Sequence, residues 1–122
     1  GLPPIIVLKK NQVLITVTAK DFSFITEDKI SDLYELFHSL NIRINLTQNA
    51  AISFSCCIDN NADKIEKLIK SLHQGFTMSY HEGLQLLTIR HYQPELVAAL
   101  TAGKTILLEQ RSPVVLQMVM KG

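Results

Sequence analysis

The spacing of apolar residues predicts a chain of short strands with three helices between them. Several segments, 42–47 among them, place an apolar residue at every second position, which is typical of a half-buried strand. Asn11-Gln12 and Glu82-Gly83 interrupt this alternation and are predicted to separate strands. The predicted strands cover residues 5–9, 13–18, 42–47, 52–58, 76–82, 84–91, 105–110 and 114–120.

Three segments instead carry apolar residues at steps of three and four, which is typical of an amphipathic helix. Thr26 is suited to cap the start of the first helix, and Asn41 to take a left-handed position at its end. Gly75 and Gly103 are predicted to end the second and third helices, and Pro94 suits a first helical turn. The apolar stripes are Ile30, Leu33, Phe37 and Leu40; Ile65, Leu68, Ile69 and Leu72; and Leu96, Val97 and Leu100.

The resulting order is one strand, then β-α-β-β-α-β, then β-α-β-β. The middle block has the order of a ferredoxin-like α+β sandwich, in which helices cover one face of an antiparallel sheet. The last block stops before its second helix and fourth strand, and the strand at 5–9 could supply the missing edge. We therefore predict two modules, residues 11–82 and residues 1–10 with 83–122.

Two predicted hairpins repeat one another. When Gln48 is placed on Gln110, the strands on both sides have the same apolar pattern and the turns have the same length. The matched residues are Ile44 with Ile106, Leu46 with Leu108, Ile52 with Val114, Phe54 with Leu116 and Cys56 with Met118. This match favours two related modules, although two apolar hairpins can also align by chance.

Composition excludes several classes of function. The 122 residues carry a formal net charge of +1, so the chain has no basic field for nucleic acid or for an anionic membrane surface. No apolar run approaches the roughly 20 residues of a membrane helix, and no signal peptide is recognisable. Gly1 before Leu2-Pro3-Pro4, without a Met, indicates either a residue left by cloning or a domain cut from a longer protein. The sequence ends with Met120-Lys121-Gly122, at the close of the last predicted strand, which favours a natural chain end; an artificial cut is the alternative.

The two cysteines are neighbours in a predicted strand, so Cys56 and Cys57 point to opposite faces. They are poorly placed to share a metal ion or to form an unstrained disulfide with each other. Two buried, reduced thiols fit a cytoplasmic protein.

Motifs for catalysis are weak. Gly103-Lys104-Thr105 resembles the end of a phosphate-binding loop, but Ala98 stands where that motif needs glycine, and here a helix precedes a strand instead of following one. The scattered histidines lack metal-ligand spacing; they are His38, His73, His81 and His91. We therefore predict no catalytic residues and no metal site in this chain.

One arrangement points to a ligand. In the predicted topology the turn 48–51 and the loop 22–26 can approach the same edge of the sheet. The start of the helix after the loop offers unpaired backbone N–H groups that suit a carboxylate. Asn45, Gln48 and Asn49 offer neutral amides that accept from an ammonium group or donate to a carbonyl. This combination suits a zwitterionic amino acid; a polar turn beside a helix cap is the alternative explanation.

The segment 41–59, NIRINLTQNAAISFSCCID, resembles the second and third strands of the first regulatory ACT domain of aspartate kinases. That family commonly has Asn-Ile, an alternating apolar strand, a Gln-Asn or Thr-Ser turn, then Ser and an apolar strand ending in Asp. Glu82-Gly83-Leu84 resembles the junction between the family's two ACT modules, and residues 7–12 resemble its first strand. The similarity runs over nearly all of the chain.

The resemblance implies an α+β fold of two ferredoxin-like ACT modules (βαββαβ), the first inserted into the second, with antiparallel sheets and helices on one face. It implies an amino-acid-sensing, feedback and dimerisation segment of a kinase that phosphorylates L-aspartate with ATP, the first step toward lysine, threonine and methionine. The kinase domain, with its ATP and Mg, would lie upstream, and this fragment would hold no cofactor and no catalytic residue. The implied partners are a second copy of the chain and lysine or threonine as the effector. A dimerisation module without a ligand is the alternative, and a small stand-alone enzyme has the least support.

The family binds its effector at the loop and first turn of the first helix and at the strand and turn that follow. By resemblance these elements comprise Ser23, Phe24, Ile25, Thr26, Asp28, Ile30, Asn45, Gln48, Asn49, Ala50, Ala51 and Ile52. Many lysine-sensitive relatives carry aspartate in place of Asn45 and glutamate in place of Ala51, and the usual glycine near Asp28 is missing. Since charge-assisted contacts are roughly twice as strong as neutral ones, these departures leave the identity of the effector open.

Overall fold

The computed structural model describes residues 1–72 and 75–122, and its architecture is α+β, as predicted. It forms two compact units, which we call the first unit (residues 13–82) and the second unit (residues 1–12 with 83–122). The elements are β1 (Ile5–Ala19), α1 (Glu27–Ser39), β2 (Ile44–Asn49), β3 (Ser53–Asp59), α2 (Ala62–Leu72), β4 (Phe76–Arg90), α3 (Pro94–Thr101), β5 (Thr105–Arg111) and β6 (Val115–Lys121). The long strands β1 and β4 contribute residues to both units.

The first unit has the strand order β2-β3-β1-β4, and one apolar core joins its strands to α1 and α2. Val13, Ile15 and Val17 alternate along β1 and are fully buried in this core. Phe37 of α1 packs against Phe54 of β3, with ring centroids 6.2 Å apart. Because the strand residues in this core are spaced by two, the helices cover one face of the sheet of this unit.

The second unit has the strand order β1-β4-β6-β5, in which β6 pairs antiparallel with both β4 and β5. Leu87, Ile89 and Met120 form its buried cluster. The short helix α3 packs against this cluster through partly buried side chains, Leu96 and Leu100 among them.

The hairpins β2-β3 and β5-β6 are equivalent at an offset of 62 residues, which confirms the predicted repeat. Both turns close with the same hydrogen bond at 2.9 Å, from the N–H of Ala50 to the carbonyl of Ser53 and from the N–H of Ser112 to the carbonyl of Val115. The equivalent pairs are Ile44–Ile58 and Ile106–Met120, Leu46–Cys57 and Leu108–Val119, Thr47–Cys56 and Glu109–Met118, Gln48–Ser55 and Gln110–Gln117, and Asn49–Phe54 and Arg111–Leu116.

The equivalence includes a register shift that the alternating pattern did not predict. In β2 it falls between Ile44, which lies opposite Ile58, and Leu46, which lies opposite Cys57. Cys57 and Ile58 are consecutive in β3 and point to opposite faces of the sheet. Paired residues share a face, so Ile44 and Leu46 also point to opposite faces. The prediction that they share a face is wrong, because one extra residue in a bulge moves the alternation by one position. The strand β5 has the same shift at the equivalent place.

Two predicted strand ends are also wrong. The strand β1 continues through Asn11, and β4 continues through Gly83, although both residues have positive φ, 52° and 70°. Asn and Gly tolerate the left-handed region, so each accommodates a local change of direction without ending the strand. The division between the two units falls beside these residues.

The ends of α1 lie where the sequence predicts them. Thr26 is the N-cap with an extended backbone, and Asn41, just beyond the helix, has a left-handed φ of 57°. Among the described residues, no helix is long and apolar enough to cross a membrane.

Candidate functional site

The loop between β1 and α1, residues 20–26, is stabilised by hydrogen bonds of its own. The N–H of Phe22 donates to the carbonyl of Ala19 at 3.0 Å, and the N–H of Ser23 donates to Oδ1 of Asp21 at 3.0 Å. Hydrogen bonding to Ser23 lowers the pKa of the Asp21 carboxyl. Phe22 has a left-handed φ of 56°, uncommon for a bulky residue, and its side chain is exposed, as is that of Phe24. The loop therefore presents two aromatic rings to solvent from a strained backbone.

One backbone hydrogen bond joins this loop to the β2-β3 turn. The N–H of Ile25 donates to the carbonyl oxygen of Ala51 at 2.9 Å. The side chain of Ile25 is buried in the core of the first unit, against which Ile30 also packs. Because Ile25 immediately precedes the N-cap Thr26, this bond fixes the start of α1 beside the turn.

The turn begins later than the sequence predicts. Gln48 and Asn49 are paired residues at the end of β2, and the turn itself comprises residues 50–52. The side chains of Gln48 and Asn49 are exposed, as are Ala50 and Ala51. Ile52, predicted to share the buried face of β3, instead lies in the turn and is 38% exposed. The amides thus stand on a paired strand, which positions them better than an irregular turn would.

Asn45 lies away from the other predicted site residues. Its Nδ2 donates to Oδ1 of Asp59 at 2.9 Å, at the end of the hairpin opposite the turn. Asn45 lies three positions before Gln48 on β2, roughly 10 Å at the usual rise of a strand. The structure therefore brings together the segments 23–30 and 48–52 and leaves Asn45 beside Asp59.

Lys29 is a neighbour of the site that the sequence analysis did not single out. Its Nζ lies 3.4 Å from Oγ of Ser23, so a cationic group reaches back from the first turn of α1 to the loop. A Lys six residues after a loop Ser, within the first helical turn, is the signal that could have identified it.

The start of α1 carries both backbone donors and a carboxylate. The first N–H groups of a helix have no partner within the helix, and they attract a carboxylate. Among the described residues, Thr26 makes no side-chain hydrogen bond that would cap them. Asp28 is an exposed carboxylate in the first turn and can accept from an ammonium group, as can the side-chain oxygens of Gln48 and Asn49. These donors and acceptors are of the chemical types that pair with the carboxylate and the ammonium group of a free amino acid.

Within residues 1–72 and 75–122, no group of three His, Cys, Asp or Glu residues could hold a metal ion. His73, one of the scattered histidines, lies outside the described residues. Cys56 and Cys57 are buried free thiols in β3, and burial raises the pKa of Cys56, with a further contribution from Cys57.

No protein-family model and no curated protein matches the sequence. Solved structures do match. A putative C-terminal regulatory domain of aspartate kinase from Porphyromonas gingivalis W83 matches with a TM-score of 0.75 and 14% identity, over 98% of this chain and 86% of that chain. The regulatory subunit of aspartate kinase from Thermus flavus matches with a TM-score of 0.66 and 9% identity, over 95% of this chain and 86% of that chain.

Aspartokinase III of E. coli, in its complex with lysine and aspartate (T-state), matches with a TM-score of 0.74 and 16% identity, over 96% of this chain. The match covers 29% of the aspartokinase III chain, so the present chain spans less than a third of that enzyme. At such low identities the agreement establishes the fold. This chain has the fold of the aspartate kinase regulatory domains, which the resemblance of residues 41–59 predicted.

Proposed function

We propose that the chain is the amino-acid-sensing regulatory and dimerisation segment of an aspartate kinase. The observation that carries this proposal is the hydrogen bond from Ile25 to Ala51, because it sets the start of α1 against the exposed end of the β2-β3 hairpin. The match to regulatory domains of aspartate kinases supports the same role.

The effector would bind as a zwitterion at the segments 23–30 and 48–52. Its α-carboxylate would accept from the N–H groups at the start of α1. Its ammonium group would donate to Asp28 and to the side-chain oxygens of Gln48 and Asn49. Lysine and threonine are the proposed effectors, and aspartokinase III supplies a relative in complex with lysine.

Each unit would be one ACT module, the first inserted into the second. The division at residues 12/13 and 82/83 supports this assignment, because it joins the start of the chain to residues 83–122. The equivalence of the two hairpins, down to the position of the register shift, supports a common ancestry of the two units.

Dimerisation would use an edge strand. In the strand orders of the two units, β2 and β5 stand at the ends, and the end strand of a sheet is where another chain can pair. Buried free cysteines support a cytoplasmic location, where thiols stay reduced.

The parent protein would carry an amino-acid kinase domain upstream, where ATP and Mg are bound and L-aspartate is phosphorylated. Effector binding would shift the parent toward an inhibited arrangement, which requires a different affinity for the effector in the two arrangements. The encoded sequence upstream of Leu2 tests this part directly, since it should contain the kinase domain.

Calorimetry of the 122-residue chain with lysine, threonine and methionine tests the sensing role. We expect heat of binding with lysine or threonine and a rise in melting temperature at saturating effector. The double variant Gln48→Ala, Asn49→Ala should weaken binding. Gln110 is the equivalent of Gln48 in the second hairpin, and Gln110→Ala should leave binding unchanged. A stable dimer by light scattering, with no heat from any of the three amino acids, would instead identify a dimerisation module without a ligand.

A further inference from the structure

The apolar stripe of α2 is wider than the core of the first unit requires. Leu68 and Leu72 are buried in that core, whereas Ile69, which belongs to the same predicted stripe, is 41% exposed. Consecutive residues of a helix are rotated by about 100°, so Ile69 lies on the flank of α2 beside the buried row. An isoleucine side chain is therefore left in contact with water at the margin of the core.

The beginning of β4 forms the other wall of an open cavity beside α2. Phe76, Met78 and Tyr80 alternate with polar residues and share one face of the strand. Phe76 and Met78 are half-buried against the core, and Tyr80 is 45% exposed. The cavity measures about 370 Å³, and among the residues that line it are Lys20, Ile69, Leu72, Phe76, Met78 and Tyr80.

The size and the lining of this cavity are typical of a site for a small molecule. Such sites measure about 300–1,000 Å³ and combine apolar walls with a few polar groups. The described residues that line the cavity all belong to the first unit, and they lie outside the segments 23–30 and 48–52. The cavity is therefore separate from the candidate effector site.

Lys20 adds a positive charge to the apolar walls. Its N–H donates to the carbonyl of Gly75 at 2.9 Å, which holds the end of β1 beside the start of β4. Among the described residues that line the cavity, Lys20 is the one that carries a charge, and its side chain is exposed. An ammonium group has three donors, so it can bind a carboxylate while it keeps another contact. The cavity thus combines a cation with a thioether, two aromatic rings and aliphatic side chains.

We propose that this cavity binds a small carboxylate with an apolar tail. The carboxylate pairs with the ammonium group of Lys20, and the tail lies between Ile69 of α2 and the row of apolar side chains on β4. Burial of the tail removes apolar surface of the ligand and of both walls from water, while the cation selects a ligand with a negative end. The inference does not rest on the proposed sensing function, because it concerns other residues and another class of ligand.

NMR titration of the 122-residue chain with octanoate tests the site. We expect amide shifts that saturate at Lys20 and within residues 69–72 and 75–80. Butyrate has four fewer methylene groups and should bind at least tenfold more weakly, because each buried methylene raises affinity by up to roughly fourfold. Residues 5–8 of the second unit are also exposed and apolar, and they report unspecific adsorption. The absence of saturating shifts, or equal shifts at residues 5–8, would overturn the proposal.

Lys20→Met tests the ionic contact, because methionine keeps an apolar stem without the charge. This variant should weaken octanoate binding roughly threefold, as expected for an exposed ion pair, and should leave the binding of octan-1-ol unchanged. Lys70→Met is the matched control, since Lys70 lies on α2, pairs with Glu66 at 3.2 Å and is not among the described lining residues. Equal losses in the two variants, or an unchanged octanoate affinity in Lys20→Met, would overturn the assignment of a carboxylate.

Ile69→Ser tests the apolar wall. Because Ile69 is exposed, the variant should keep the folded spectrum, and it should bind both octanoate and octan-1-ol more weakly than the parent chain. Val114→Ser replaces a similarly exposed apolar residue outside the cavity and should change neither affinity. Unchanged binding of both compounds to Ile69→Ser would show that they do not occupy the cavity and would overturn the proposal.

Discussion

Asn41 and Gly103 follow the ends of α1 and α3 in the same left-handed conformation, with φ of 57° and 73°, at the 62-residue offset that also relates the two hairpins. After α1, the N–H of Ile42 donates to the carbonyl of Phe37 and the N–H of Asn41 to that of His38, which is the Schellman pattern. The repeat therefore extends from each hairpin back to the helix end before it.

Replacement of Asn41 tests the helix end. Asn41→Ala should lower the free energy of unfolding by about 1 kcal/mol, because an alanine pays the steric cost of the left-handed region. Asn41→Gly should keep or slightly raise stability, since glycine has no such cost. Gly103→Ala and Gly103→Asn make the matched pair in the second unit, with only the alanine expected to destabilise. Urea denaturation measures all four, and equal stability of the alanine and glycine variants would contradict the assignment.

Truncation of Phe54 tests the core of the first unit. Phe54 is fully buried and contacts the rings of both Tyr34 and Phe37. Phe54→Ala should cost about 3–5 kcal/mol of unfolding free energy, the usual range for a buried aromatic residue. Phe24→Ala removes a ring that is 71% exposed and should change stability by less than about 0.5 kcal/mol. Chemical denaturation compares the two, and similar losses would place Phe24 in the core as well.

Much of this fold could be predicted from local sequence signals. Thr26 and Asn41 mark the ends of α1 because capping depends on a few adjacent residues. The register shift beside Asn45 could not be predicted, because a bulge is one inserted residue and leaves the apolar composition of the strand unchanged. Asn11 and Gly83 suggested strand ends for a related reason: residues that permit a turn also permit a left-handed kink within a continuous strand.

The candidate site was accessible to sequence analysis in part. The topology suggested that the loop 22–26 and the β2-β3 turn approach each other, and the bond from Ile25 to Ala51 joins them. The distance of Asn45 from this junction depends on how far β2 extends, which the pattern underestimated at its turn end. The contact between Lys29 and Ser23 depends on a side-chain rotamer, and no periodic pattern encodes that.

The two thiols should be inert in the folded chain. Cys56 and Cys57 are completely buried, and burial raises the pKa of Cys56, so little reactive thiolate forms at neutral pH. An aromatic disulfide reagent at pH 8 should therefore label the cysteines only after denaturant is added. Both cysteines should then react to the same final extent. Rapid labelling of one thiol in the native chain would contradict this burial. The variants Cys56→Ser and Cys57→Ser show which of the two thiols any labelling of the native chain involves.

Acid should loosen the loop before α1. The folded-state pKa of Asp21 is lowered, mainly by hydrogen bonds to Ser23, so its ionised form is favoured in the folded chain. The contribution of ionised Asp21 to folding stability is fully present above the unfolded-state pKa. It is lost as the pH falls through the lower folded-state pKa. An NMR titration should give Asp21 a lower pKa than an ordinary aspartate has. The Ser23 amide signal should follow the same titration, and Asp21→Asn should remove that response. An ordinary pKa for Asp21, or an unchanged Ser23 titration in Asp21→Asn, would contradict the Asp21–Ser23 contact.

A carboxylate introduced at Ala51 should change the selectivity of the proposed site. Ala51 is exposed on the turn, and its carbonyl already accepts from Ile25, so a longer side chain can extend to solvent without breaking that bond. Ala51→Glu should increase the affinity for lysine roughly tenfold, because the new carboxylate can make a charge-assisted contact with the side-chain ammonium of lysine. Threonine lacks that ammonium and should gain nothing. Ala51→Gln introduces a side chain of nearly the same shape as glutamate but without its charge. An equal gain in lysine affinity for Ala51→Gln and Ala51→Glu in calorimetry would rule out this electrostatic explanation. Raised salt should weaken the gain of Ala51→Glu alone.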